Sequence, residues 1–97
     1  MLINKGVSAG EVVTLKLMSG EEMIAKYVEE TDNGHKLNKP MLLSMGQQGI
    51  GMVPFAMTVD MEKDINVLQS AVVALEPTEK QFADAYVQNT TGIKLAG

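Results

Sequence analysis

The chain has 97 residues, 45% of them apolar and 21% charged, with a formal net charge of −4; this suits one domain with a modest core and argues against disorder over most of the length. It has no cysteine, one histidine, and eight lysines without an arginine, which excludes disulfides, thiol catalysis and cysteine-zinc sites and leaves no basis for a histidine-rich metal site. The charge balance and the lack of tryptophan argue against phosphate-dominated binding and against an aromatic stacking platform. No apolar run is long enough for a bilayer span, and MLINKGVSAG lacks the core of a signal peptide. A cytoplasmic protein with no membrane partner is expected.

Residues 1–10 have no clear period and contain two glycines, so a flexible N-terminal arm is expected there. From Glu11 to Val28, Val13, Leu15 and Leu17 alternate with Thr14 and Lys16, Ser19-Gly20 breaks the run, and alternation resumes at Met23, Ala25 and Tyr27. This pattern predicts a half-buried hairpin with strands over 12–18 and 22–29. Thr31-Asp32-Asn33-Gly34 is the strongest turn signal, because Asn-Gly readily adopts positive φ. A third strand is predicted over 35–45, HKLNKPMLLSM, with Met41, Leu43 and Met45 in phase. Pro40 then belongs at an edge, a bulge or the start of the strand.

After a flexible loop over 46–49, GMVPFAMTV (51–59) predicts a fourth strand with an edge or bend at Pro54. A polar turn over 61–64 leads to a last long strand over 65–75, INVLQSAVVAL. Its inward phase shifts near Gln69-Ser70, as at a bulge. Beyond Pro77 the period becomes helical over TEKQFADAYVQN, with Thr78 and Gln81 spaced as a capping box and Phe82, Ala85 and Tyr86 on one face. Asn89 to Gly92 is expected to end this helix. The predicted fold is mainly β: a small, strongly bent barrel of five antiparallel strands over 11–77, then a C-terminal helix and tail over 78–97.

Asp32, Asn33, His35 and Lys36 form a polar loop suited to gripping a base by its edges while Lys36 meets a phosphate, as single-stranded RNA is recognised. The alternative is a hairpin loop in which Asn33-Gly34 sets the backbone and His35 is solvated. Gln69 and Ser70 either hydrogen-bond a base or mark the bulge of a bent strand. Met23, Met41, Met45 and Met57 fall at inward phases and read as core filling more readily than as an adaptable groove. Glu21, Glu22, Glu29, Glu30 and Asp32 lack calcium-loop spacing and read as a solvated hairpin face. Gly46, Gly49 and Gly51 precede no Gly-Lys-Ser/Thr, so they form no phosphate loop. No paired carboxylates or nucleophile-base set can be defended, so no catalytic residue, cofactor or metal is expected.

Residues 12–45 resemble the first motif of the Sm/LSm family, which includes bacterial Hfq, at Leu15, Leu17, Gly20, Met23, Ala25 and Tyr27 and in the polar loop from Asp32 to His35. LQSAVVALEP, residues 68–77, is similar in spacing to the Hfq segment that forms its last strand and ends in proline. Ala25 stands where the family usually has Gly, Gln69-Ser70 stand where it has Arg-Gly or Lys-His, and the helix follows the strands instead of preceding them. These departures make the resemblance one to a divergent variant of the small phage-encoded type.

The resemblance implies an Sm-like (SH3-type) barrel, a homo-oligomeric ring of about five to seven subunits, and single-stranded RNA or DNA as partner, in host cytoplasm if phage-encoded. Gln69 and Ser70 would then line the pore. The strand carrying Val67, Val72 and Val73 would pair with the neighbour's fourth strand at Phe55, Met57 and Val59, which removes an apolar edge that otherwise invites aggregation. The rival expectation is a structural or protein-interaction ring, such as a phage assembly or host-takeover factor. The net charge of −4 and the missing arginine favour that rival.

Overall fold

The computed structural model describes residues 7–96. The first six residues of the expected arm and the last residue of the tail lie outside them. Six strands and one helix follow in order: β1 (Val12–Leu17), β2 (Glu22–Glu30), β3 (Gly34–Gly46), β4 (Gly49–Pro54), β5 (Asp64–Leu68), β6 (Val72–Pro77) and α1 (Lys80–Ala96). All strand pairs are antiparallel. The sheet runs β4-β3-β2-β1-β6, and β5 pairs with β3 beside β4. The ladder does not close among the described residues, since β4 and β6 each have one partner.

The opening hairpin forms as its alternation predicts. Val13 lies opposite Ala25 and Leu15 opposite Met23, which places four fully buried side chains on one face. Gly20 makes the turn at φ 98°, a conformation open to glycine at no steric cost. Leu17, Tyr27, Leu37, Val67 and Leu75 complete this core.

The third strand departs from its simple phase. Its register on β2 shifts between Ile24 and Lys26, around Ala25, and again between Tyr27 and Glu29. Lys39 sits at φ 50° immediately before Pro40. This irregular stretch switches the faces of β3: Leu37 and Leu42 pack on the first core, while Met41 and Leu43 join Ile24 on the opposite face. Each half of β3 then takes its own partner. Gly34 to Asn38 pair with β5, and Met41 to Gly46 pair with β4.

Other expectations are corrected. The fourth strand spans Gly49–Pro54, not 51–59; Phe55 adds one more bond in the same register, donating its N–H to the Pro40 carbonyl at 3.0 Å, and turns follow from Ala56 onward. Met57 therefore lies in a loop, and both it and Met45 are about four-fifths exposed, so neither fills the core. The last long strand is divided by a 3-10 turn over Gln69–Ala71. It sends β5 to β3 and β6 to β1, giving six strands where five were expected.

Helix α1 covers the second face. Tyr86 is buried against Ile24 and Met41, with Phe82 beside them. Its phenol donates to the carbonyls of Lys39 at 2.7 Å and Asn38 at 3.1 Å, which ties the helix to the irregular stretch of β3. Thr78 does not form the expected capping box. Its hydroxyl lies 2.7 Å from that of Thr14, and the Glu79 carbonyl accepts the first helical bond from Ala83 at 2.9 Å. The helix also passes through Asn89–Gly92 to Ala96.

Candidate nucleic-acid interface

The two segments singled out in the sequence, 32–36 and 69–70, meet at one end of the sheet. Gly34 lies opposite Leu68. A Cβ on Gly34 would sit 2.9 Å from Leu68 Cα and closer still to the Val67 carbonyl oxygen. Only glycine lets the two backbones approach this closely. The close approach sets the 3-10 turn beside the hairpin loop, where the Gln69 N–H donates to the Asn33 carbonyl at 2.8 Å.

His35 is buried at 6% exposure, which corrects the reading of it as a solvated loop residue. Its Nδ1 lies 2.9 Å from the Tyr27 hydroxyl and its Nε2 2.5 Å from Gln69 Oε1. An amide oxygen only accepts, so Nε2 carries the proton donated to Gln69, and a neutral ring then accepts at Nδ1 from Tyr27. Burial pushes the Tyr27 phenol above its ordinary range, and the nearby Glu30 carboxylate adds to this. His35 thus ties the core at Tyr27 to the exposed Gln69.

A second, outer layer joins the same strands. The Thr31 hydroxyl donates to Asn66 Oδ1 at 2.8 Å, and Asn66 Nδ2 donates to Asn33 Oδ1 at 3.0 Å. Lys36 is partly exposed and pairs with Glu29 at 3.2 Å. Asp32, Asn33, Gln69 and Ser70 are exposed, so their remaining donors and acceptors face solvent on one rim. Tyr27 and Asn66 were absent from the sequence-derived set. Tyr27 reads only as a core residue of its strand, and Asn66 gains its partner from the loop before β3, 33 positions away.

The six residues expected at a subunit interface are scattered. Val67 is buried in the chain's own core, and Phe55 and Val72 pack partly against it. The Val67 side chain completes the core on the inward face of β5. Met57, Val59 and Val73 are exposed. Val73 lies on β6, and β4 carries two further exposed apolar side chains, Ile50 and Val53. Neither a family model nor a curated protein matches this chain.

Proposed function

We propose that the chain is a divergent Sm-like, ring-forming module that binds single-stranded nucleic acid, RNA before DNA, without catalysis. The observation that carries this reading is the convergence of Asn33, His35 and Gln69 on one rim, joined by direct hydrogen bonds. Such a rim offers amide, hydroxyl and carboxylate groups held in place by a buried histidine, the equipment for reading base edges. The apolar terminal strands β4 and β6 support assembly, since two such edges on one chain are complementary and a heterologous contact between them closes into a ring.

Titration of oligouridylate and oligoadenylate at low salt tests the binding. Micromolar binding of either, weakened in Gln69→Ala, is expected. No binding to either at high-micromolar protein would sink the proposal.

One observation favours a purely structural or protein-interaction ring. Lys36, the cation nearest the rim in sequence, is paired with Glu29, which lowers the attraction for phosphate. A ring that assembles but retains no oligonucleotide would assign the chain to this second class.

A further inference from the structure

Helix α1 leaves part of the second face of the sheet uncovered. Two adjoining depressions of about 270 and 250 Å³ lie there and share Glu22, Leu43 and Ile50 in their walls. Ile24, Leu43, Ile50 and Phe82 give the larger one an apolar lining. Glu21, Glu22 and Glu79 stand at the borders. All three are exposed, and none makes an ion pair among the described residues. The hairpin wall cannot neutralise them, because residues 40–59 contain no charged side chain.

Lys16 stands directly across from Glu22 on β1, so the border carries three carboxylates against one lysine, and an apolar groove with this acidic excess has a definite complement. The geometry points to a docking site for a protein segment that carries apolar side chains next to lysine or arginine. Each depression takes an apolar side chain and removes Leu43 and Ile50 from water. The cation meets Glu22 and Glu79 at the rim, where charge complementarity sets register and partner choice. Nucleic acid does not fit here, because the same carboxylates repel phosphate.

The groove is also remote from the rim at Asn33 and Gln69. Glu22 and Glu30 stand at opposite ends of the nine-residue β2, about 25 Å apart at the rise of a strand. Both sites can be occupied together, and this inference does not rest on the nucleic-acid reading.

Random dodecapeptides displayed on phage, selected against the full chain, test the proposal. Enriched peptides are then measured by fluorescence anisotropy against the parent, Glu22→Gln/Glu79→Gln, Ile50→Ser and Gln69→Ala. The enriched sequences should place lysine or arginine beside apolar residues. Their affinity should fall about tenfold in the double variant and in Ile50→Ser, weaken with added salt, and stay unchanged in Gln69→Ala. A circular dichroism melt confirms that each variant is folded, and the two lesions act through different chemistry. No enrichment, enrichment without basic residues, unchanged affinity in both groove variants, or displacement of the peptides by oligouridylate would each overturn the assignment. So would loss of self-association in the double variant in place of lost peptide binding.

Discussion

His35 is the residue on which the candidate rim depends. It faces Tyr27 on one side and Gln69 on the other, so removing its ring leaves a buried hydroxyl unpaired and opens a void. His35→Ala should therefore lose about 2–4 kcal/mol of stability in urea denaturation. Gln69→Ala, at an exposed position, should lose about 1 kcal/mol or less while weakening oligonucleotide binding. Equal losses in the two variants would contradict the buried-support role of His35. Gly34→Ala is a harsher change, because the added methyl meets the backbone of β5 rather than a movable side chain. We expect a loss of about 3 kcal/mol or more, read from the thermal midpoint. A midpoint within a few degrees of the parent would show that β5 is free to move away.

At the scale of elements, α1 and the irregular part of β3 stabilise one another through Tyr86. Burial pushes its phenol up to about 12 from the ordinary 10. The raised value means that the folded state holds the proton more tightly than the unfolded chain does. Its contribution is thus fully present below pH 10 and is lost as pH rises through 10 toward 12. Tyr86→Phe should lose about 1–2 kcal/mol at neutral pH from the two unmet carbonyls. It should also show a shallower decline in stability across that alkaline window. A decline as steep as the parent's would assign the alkaline loss to other groups.

The elements differ in how plainly the sequence announces them. The first hairpin is legible because both its strands bury one face against a common core, so period two survives at Val13, Leu15, Met23 and Ala25. Ile24 is not legible, because it packs beneath Tyr86, 62 positions away in the chain. Met45 and Met57 mislead for a local reason. Met45 keeps the phase of Met41 and Leu43 but stands at the end of β3 beside the Gln47-Gln48 turn, and β4 ends at Pro54 before Met57 is reached. The shift at Gln69-Ser70 is visible as a break in phase, but the separate partners of β5 and β6 are not. The candidate loop is readable from Asn33-Gly34, whereas its support by Tyr27 and Asn66 arises only from tertiary packing.

Among the described residues β4, β5 and β6 each lack an outer partner, and β4 and β6 carry exposed valines, Val53 and Val73. Val53→Lys and Val73→Lys should each reduce self-association while changing monomer stability by about 0.5 kcal/mol or less, since neither side chain supports the core. Unaltered mass in both variants would place the contacts between copies elsewhere. The account joins two claims, assembly through these edges and binding of single-stranded nucleic acid at the Asn33–Gln69 rim. Native mass spectrometry with and without oligouridylate tests both at once. The predicted result is a closed species of about five to seven copies of the 10.5 kDa chain, gaining the mass of bound oligonucleotide at low salt. A 10.5 kDa monomer with no oligonucleotide adduct would contradict it.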